Sequence, residues 1–399
     1  MKTLTRSFIL FALIAGACAP VSTSTPTQES SKEVVVPPTN APAPVIDSNE
    51  PPPRGAESEF STDFTQHSIP YSDILSGGPP KDGIPAVDVP KYVPISEADE
   101  WLKPIEPVIS IEVDGQARAY PLQILMWHEI VNDTLNGEPL TVTFCPLCNT
   151  AIAFKRSVNG QVLDFGTTGR LRFSNLIMYD RQTESWWQQA TGDAIVGELL
   201  GTQLEYYPAT IVSWESFKAE YPDGDVLSRD TGHGRNYGRN PYFGYDDINN
   251  TPFLYKGTPT PNQLTAVARV LTIDLNGETV AYPYTVLEEV HVVNDTVGGE
   301  DVVVFWQAGV ASALDSSEVA TGRDVGTGAS FLRNVEDQAL TFMYDGTVIK
   351  DEETNSTWSI FGEAIDGELK GTQLSPVISI NHFWFSWAAF KPETRIYQP

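Results

Sequence analysis

The sequence contains little positive charge for its length. Its 399 residues include 25 Lys and Arg against 52 Asp and Glu, which gives a formal charge of −27. Such a field repels phosphate backbones and anionic lipid surfaces, so the charge argues against a nucleic-acid-binding protein. Cysteine is also scarce, and three residues are too few for a disulfide scaffold. Beyond the N-terminal region, no apolar run is long enough to cross a membrane.

The N-terminus has the pattern of a secretory signal. A short positive region precedes the apolar run Phe8–Ala15, which is much shorter than a membrane span. Small residues lead to Cys18 in a pattern that resembles a bacterial lipobox, although Ala stands three positions before the cysteine where Leu is usual. We predict a signal peptide over residues 1–18 and lipidation of Cys18. The alternative is ordinary signal-peptidase cleavage after Ala19, which Pro20 disfavours.

A tether follows the predicted lipid. Residues 19–60 are rich in Ser, Thr and Pro and show no packed-core pattern, which predicts a semi-extended spacer. A lipid, a spacer and an acidic globular part together predict an extracytoplasmic protein anchored to the cell membrane, in the periplasm or on the cell surface. We expect the membrane as a partner through the lipid and no nucleic acid. A small ligand or a partner protein stays open.

The globular part contains an internal repeat. Residues 108–144 and 269–305 share the order strand, Asp-Gly or Asn-Gly turn, strand ending in Ala-Tyr-Pro, short helix, Val-Asn-Asp-Thr and strand. Residues 178–204 align in the same way with residues 349–374. Residues kept in both copies are candidates for a structural role, whereas residues found in one copy are candidates for chemistry.

The pattern predicts a mainly β fold, of the α+β kind with few short helices. β-branched and aromatic residues alternate, and glycine turns are frequent. We expect two homologous units packed as one body, at residues 61–228 and, in degenerate form, at 265–399. An ordered connecting loop rich in Arg, Gly and Tyr is expected at 229–264. The predicted helices are Pro121–His128, Trp214–Tyr221 and Pro283–Glu289.

Candidate metal ligands occur in the first unit alone. Cys145 and Cys148 form a Cys-Pro-Leu-Cys motif directly after a predicted strand. The matching stretch of the second unit, Trp306–Gly309, has no thiol, and aliphatic residues replace both His128 and Met178. The joint loss of two thiols, an imidazole and a thioether predicts one working site in the first unit.

These four side chains suit a soft transition metal. Two thiols of a Cys-x-x-Cys turn can reach one ion, and thiolate with imidazole suits zinc, copper or iron. A thioether donor shifts the preference toward Cu(I). A structural zinc site normally needs four ligands, so a single cysteine pair favours an open site. We predict one copper ion, with zinc or iron as open alternatives, and expect Glu129 or Asp133 to orient the imidazole.

Other interpretations of the motif remain open. The cysteines could form a structural disulfide in an oxidising compartment or act as a redox dithiol. His128 could be a core histidine with satisfied hydrogen bonds, and Met178 fits an ordinary core position. A third class is a ligand-binding lipoprotein without catalysis. No catalytic residue is assigned, and enzymatic activity stays open because the known catalytic fingerprints are missing.

Further polar residues are candidates for a pocket. Residues 165–181 combine turn glycines with Ser, Asn and Arg donors that could line an anion site, and the alternative is turn hydrogen bonds and salt bridges. The basic connecting loop could cap a site or receive an acidic ligand, and the alternative is an ordered crossover held by ion pairs. The candidate pocket residues are Glu129, Asp133, Arg170, Ser174, Asp180, Arg181, Gln188, Arg235 and Arg239.

Four long stretches resemble a known family. They are HEIVND, TFCPLCNTAIAF, FGTTGRLRFSNLIMYDRQTESWW and RDTGHGRNYGRNPYFGYD. The chain resembles the bacterial domain of unknown function 3179 family over roughly residues 65–390. The resemblance implies an extracytoplasmic, often lipid-anchored protein and no established activity. It emphasises His128, Glu129, Asn132, Asp133, Cys145, Cys148, Gly169, Ser174, Asp180, Arg181, Gln188 and the loop Arg229–Tyr245.

Overall fold

The computed structural model describes residues 50–257 and 264–399. Over these ranges the protein is mainly β with six short α-helices, which confirms the predicted fold class. All described residues belong to one compact unit. The predicted signal peptide, Cys18 and the tether up to residue 49 lie outside the described residues. Within the described ranges, no helix combines the length and apolarity needed to cross a membrane.

Sixteen strands precede the connecting loop. They are β1 Ile74–Ser76, β2 Tyr92–Pro94, β3 Pro107–Val113, β4 Gln116–Pro121, β5 Ile130–Leu135, β6 Glu138–Cys145, β7 Thr150–Lys155, β8 Ser157–Val158, β9 Gln161–Val162, β10 Phe165–Arg172, β11 Asn175–Asp180, β12 Trp186–Gln188, β13 Ala194–Val196, β14 Tyr206–Tyr207, β15 Thr210–Ser213 and β16 Asp225–Leu227. The helices of this half are α1 Ala56–Glu59, α2 Ile95–Ala98, α3 Leu122–His128 and α4 Trp214–Glu220.

Thirteen strands follow the loop in the described residues. They are β17 Arg269–Leu275, β18 Glu278–Pro283, β19 Val292–Val297, β20 Glu300–Gln307, β21 Thr327–Leu332, β22 Asn334–Val335, β23 Gln338–Ala339, β24 Phe342–Tyr344, β25 Ile349–Asp351, β26 Thr357–Trp358, β27 Ala364–Asp366, β28 Ser379–Phe383 and β29 Arg395–Ile396. The helices of this half are α5 Tyr284–Val290 and α6 Trp384–Ala388.

The same three-sheet arrangement occurs before and after the loop. The first half has the sheet orders β15-β3-β4-β16-β2, β14-β7-β6-β5 and β1-β10-β11-β12-β13. The second half has the orders β28-β17-β18-β29, β19-β20-β21 and β24-β25-β26-β27. In both halves one parallel pairing, of β16 with β4 and of β29 with β18, joins otherwise antiparallel neighbours. This recurrence fits the predicted repeat, and the homology of the two units stays a prediction.

Local sequence accounts for the shared hairpin and helix. Asp114-Gly115 and Asn276-Gly277 connect β3 to β4 and β17 to β18, and all four residues have positive φ. Such pairs suit a two-residue turn whose twist matches that of the strands. Pro121 and Pro283 are extended residues that cap α3 and α5, so each helix begins one residue later than predicted.

One hydrophobic core extends through both halves. It contains Phe144 and Trp187 from the first half and Phe383 and Phe385 from the second. The two cysteines lie in this core. The core also reaches into the stretch that the sequence assigned to the tether, because α1 buries Ala56 and the chain then buries Phe60 in a neighbouring cluster.

The connecting loop is held by a buried acid. Residues 229–257 contain no helix or strand. Within them, Asp246 is 2% exposed and lies 2.7 Å from Arg269 Nη2 and 2.8 Å from Arg323 Nη2. Ser312 also donates to its carboxylate. Charge pairing therefore fixes this loop to the second half.

Candidate functional site

The Cys-Pro-Leu-Cys motif forms the connection between β6 and β7. Cys145 ends β6 and pairs with Thr150, the first residue of β7. Between them, Pro146–Cys148 makes one 3-10 turn and Asn149 adopts a left-handed conformation with φ 51°. Proline suits the start of such a turn and asparagine tolerates the left-handed region. These local preferences fold the motif back and bring the two cysteines together.

Both thiols are buried and free. Cys145 is 2% exposed and Cys148 is 0% exposed, and neither forms a disulfide. Their Sγ atoms lie 3.9 and 3.5 Å from the carbonyl oxygen of Ser174, so both can donate to it. Burial raises the pKa of the Cys145 thiol well above its ordinary value, and Cys148 and Glu129 act in the same direction. Cys145 is therefore a neutral thiol near pH 7, whereas the thiolate is the reactive form.

The carbonyl that faces the thiols belongs to a strained turn. Phe173 and Ser174 connect β10 to β11 with φ values of 52° and 68°. Left-handed backbone at residues other than glycine costs on the order of 1–3 kcal/mol and concentrates at functional sites. Comparable two-residue turns in the described chain end in glycine: Asp114-Gly115, Asn136-Gly137, Asn159-Gly160, Asn276-Gly277 and Gly298-Gly299.

Replacing Ser174 with glycine should therefore stabilise the fold. We expect the free energy of unfolding to rise by about 1 kcal/mol, because glycine adopts a positive φ without steric cost. The measurement is equilibrium unfolding in urea. Gly277→Ser is the matched control: a Cβ at Gly277 meets no atom within 4 Å, so this change adds backbone strain without a clash and should destabilise. A Ser174→Gly variant no more stable than the wild type would show that the turn stores no strain.

Glu129 adds a buried carboxyl group at the dithiol. It ends α3 in a left-handed conformation, where its N–H donates to the Leu125 carbonyl at 2.7 Å. Its carbonyl accepts from Phe144 N–H at 2.8 Å, which fixes it beside the end of β6. Burial raises the pKa of Glu129 to about 8, and the described residues form no hydrogen bond with its carboxyl group. The carboxyl group near Cys145 can therefore hold a proton at neutral pH.

His128 points both of its nitrogens at other partners. Nδ1 lies 2.7 Å from the Pro85 carbonyl oxygen, and Nε2 lies 2.6 Å from the Tyr237 hydroxyl. Because a carbonyl only accepts, Nδ1 carries the hydrogen and Nε2 accepts from Tyr237. Burial lowers the pKa of His128 to about 4, so the ring is neutral. The Pro85 carbonyl, rather than Glu129 or Asp133, orients the imidazole, contrary to expectation.

The predicted four-donor cluster is not assembled in the described structure. No group of three or more His, Cys, Asp or Glu side chains in the described ranges is arranged to hold a metal. Met178 is buried in β11, opposite Trp187 and Thr167, in the same core as the cysteines. The structure therefore unites the two thiols and places His128 in a separate hydrogen-bonded chain.

Two predicted pocket acids have structural contacts. Asp133 is buried with Arg118 Nη1 at 2.7 Å and the Tyr120 hydroxyl at 2.5 Å, and Tyr92 also donates to it. Asp180 accepts from Trp187 Nε1 at 2.9 Å. Both arrangements recur in the second half. There Asp295 accepts from Tyr282 and Arg395, and Asp351 accepts from Trp358.

The other predicted pocket residues lie in separate environments. Gln188 donates to Asn175 Oδ1 at 2.6 Å. Gly169 has φ 70°, and a Cβ there would meet the Pro79 carbonyl oxygen at 2.0 Å, which explains the glycine sterically. The arginines pair as Arg170 with Glu59 at 3.2 Å, Arg181 with Asp82 at 2.9 Å and Arg239 with Glu318 at 3.4 Å, whereas Arg235 is exposed.

The connecting loop places tyrosines near the thiols. The sequence did not identify these tyrosines as neighbours of the cysteines. Burial raises the pKa of Tyr242 and the pKa of Tyr245, and the nearby Cys145 raises both values further. Tyr237 reaches His128 from the same loop. The unusual density of aromatic residues in a segment without strands was the signal that pointed to this packing.

The strand register corrects the comparison of the two copies by one position. Ile130 pairs with Thr143 in the first half, and Val292 pairs with Phe305 in the second. Cys145 therefore corresponds to Gln307 rather than to Trp306. The second copy still lacks a thiol at this position.

The fold and the site define a mainly β protein with a buried pair of free thiols between β6 and β7. The family model described as Protein of unknown function (DUF3179) matches residues 81–394, so the chain belongs to this family. No curated protein and no solved structure matches the chain.

Proposed function

We propose that Cys145 and Cys148 bind a soft metal ion, with copper favoured, in a lipid-anchored protein outside the cytoplasm. The observation that carries the proposal is the pair of free, buried thiols whose Sγ atoms face one carbonyl oxygen at 3.9 and 3.5 Å. Thiolate ligands select Cu(I) over harder cations. The acidic composition and the lipobox-like pattern at Cys18 support the location.

Two thiolates suit Cu(I) better than zinc. Cu(I) accepts two soft ligands, whereas structural zinc is almost always bound by four. His128 is not needed in this scheme because Pro85 and Tyr237 occupy its nitrogens. Met178 lies in the same core as the cysteines and could complete the ligand set.

Proton release is part of metal binding at this site. Each thiol must lose its proton to become a ligand, so affinity should increase with pH. Two thiolates and Cu(I) leave one net negative charge in the core. A protonated Glu129, whose pKa burial raises to about 8, adds no second negative charge near neutral pH.

A thiol–disulfide function is the second candidate, because both cysteines of the motif are free and buried. Oxidation of two thiols to a disulfide releases two protons and transfers two electrons to a partner disulfide, which becomes a dithiol. Neither end state carries a charge, so burial opposes neither of them. The raised pKa of Cys145 keeps this thiol protonated, which predicts slow exchange at neutral pH.

Elemental analysis of the full-length protein tests the proposal. The chain is purified anaerobically from its membrane fraction, and copper, zinc and iron are measured beside free thiols, with and without a Cu(I) chelator. We expect about one copper per chain. Cys145→Ser and Cys148→Ser should each reduce copper at least about tenfold, because a single remaining thiolate binds weakly.

Two variants serve as controls for this experiment. Gln307→Ser changes the position that corresponds to Cys145 in the second half and should leave the metal content unchanged. His128→Gln separates the two ligand sets: copper is retained if the thiols suffice and lost if the imidazole joins them. A wild-type chain with no metal and two titratable thiols, or with a disulfide, contradicts the metal proposal and favours the thiol–disulfide function.

A further inference from the structure

A cavity of about 370 Å³ lies between the two halves, apart from the thiols. Arg172 of β10 and Gln188 of β12 line it from the first half. Asp274 of β17 and Trp387 of α6 line it from the second half. Residues far apart in the chain thus converge on one concave, mixed polar and apolar space, which is typical of small-molecule sites.

The cavity contains an arginine and an aspartate whose capacity for charged hydrogen bonds is only partly used. Lys391 and Asp274 form an ion pair at 2.7 Å. Arg172 uses only Nε, 3.4 Å from Asp73 Oδ2, and its two terminal nitrogens form no hydrogen bond within the described ranges. Asp193 accepts from Thr191 but makes no ion pair with any described residue. One guanidinium fork and one carboxylate are therefore available to a ligand.

Arg172 and Asp193 are near enough for the charge of each residue to shift the pKa of the other, yet they form no ion pair. Desolvation dominates at both residues, lowering the pKa of Arg172 and raising the pKa of Asp193. Asp73 is the one ion-pair partner of Arg172 among the described residues, and Asp193 has only the nearby charges of Lys391 and Arg172, so a molecule that brings both complementary charges would stabilise both groups.

Part of the remaining wall is apolar and aromatic. Ile195, Ile380, Tyr206, Phe390 and Trp387 line the same cavity. Such a wall accommodates a side chain of moderate size while the charged groups fix its orientation. A neutral sugar could stack on the aromatic rings, but it would bring no charge to the terminal nitrogens of Arg172 or to the Asp193 carboxylate.

We infer that this cavity binds a free α-amino acid, with its carboxylate on the Arg172 fork and its ammonium group on Asp193. Arginine matches a carboxylate with two parallel hydrogen bonds, and a carboxylate accepts from an ammonium group with similar charge assistance. The site is separate from the two cysteines. Amino-acid binding should therefore be unchanged in Cys145→Ser, so this inference and the metal proposal can fail independently.

Calorimetry on the full-length chain tests the inference. The common L-amino acids are titrated one at a time, and the N-acetyl and amide derivatives of the best binder follow. We expect at least one amino acid to bind, and each derivative to bind at least about tenfold more weakly because it lacks one of the two charges. This comparison uses the wild-type protein and does not depend on the folding of a variant.

Three variants locate the site. Asp193→Asn and Arg172→Gln should each weaken binding at least about tenfold. Glu363→Gln is the matched control. Glu363 forms an isolated antiparallel β-bridge with Gln373, as Asp193 does with Gln203, but Glu363 does not line the cavity. Failure of every amino acid to bind would overturn the inference. Binding of D-glucose alone, or amino-acid binding that survives both Asp193→Asn and Arg172→Gln, would overturn it as well.

Discussion

Replacing Asp133 with alanine should lower the free energy of unfolding by about 2–4 kcal/mol, because the change leaves the buried Arg118 with only the more exposed Asp225, 3.2 Å away, as an ionic partner. The Arg118 guanidinium is 6% exposed and lies 2.7 Å from the Asp133 carboxylate. It also stacks 3.5 Å from the centre of the Tyr92 ring. Tyr120 and Tyr92 would lose their hydrogen-bond acceptor in the same change. Urea unfolding at neutral pH measures the effect.

The second half offers a control of the same chemistry. Asp295 accepts from Tyr282 at 2.8 Å and from Arg395 at 3.1 Å, but Arg395 is 40% exposed. Water can replace the lost carboxylate there, so Asp295→Ala should cost about 1 kcal/mol. A structural role for Asp133 also predicts that correctly folded Asp133→Asn keeps the metal content of the wild type. Loss of metal with little loss of stability would instead indicate that Asp133 takes part in the metal site.

Elements governed by local preferences could be predicted from the sequence. The helix expected at Pro121–His128 lies at Leu122–His128, and the one expected at Trp214–Tyr221 lies at Trp214–Glu220. Periodic apolar residues, proline before the first turn and Asp-Gly or Asn-Gly pairs act over a few residues, so neighbouring residues suffice to identify them. The hairpin around Cys145 follows from the same local chemistry.

The partners of His128 could not be predicted in the same way. Pro85 is 43 positions away and Tyr237 is 109 positions away, so the direction of the ring depends on how distant segments pack. The position of His128 at the end of α3 fits a metal ligand and a hydrogen-bonded core residue equally well. Only the tertiary structure distinguishes the two cases.

The cavity between the halves was equally hidden from sequence reasoning. The sequence places Arg172 within a candidate anion pocket at residues 165–181 and makes Gln188 a pocket candidate through the family resemblance, but it assigns no role to Lys391. The hairpin between β10 and β11 separates these roles, since Ser174 faces the cysteines while Arg172 lines the cavity with Lys391. Arg172 is the last residue of β10, whereas Ser174 lies in the left-handed turn that follows, so the backbone changes direction between them and closeness in sequence did not mean a shared site.

Replacing Glu129 with glutamine should stabilise the metal-free protein at alkaline pH. Burial raises the pKa of Glu129 from 4.5 to about 8, so the folded state holds this proton more tightly than the unfolded chain. The contribution of this bound proton to the free energy of unfolding is complete below pH 4.5 and is lost as the pH rises toward 8. Glutamine imitates the protonated form and removes that loss. We expect a gain of about 2–4 kcal/mol above pH 8 and little difference at pH 4.5.

The pH dependence of this gain identifies its cause. Urea unfolding of the chelated protein across this pH range should show the two curves separating as the pH rises. Glu289→Gln removes an exposed carboxylate from α5 in the second half, so its curve should follow that of the wild type. A gain that is the same at every pH would point to better packing of the amide, because packing does not depend on the protonation of Glu129. No gain at any pH would mean that water or a neighbouring group already solvates the Glu129 carboxylate, and Glu129 would then add a second negative charge beside the thiolates when they bind the metal.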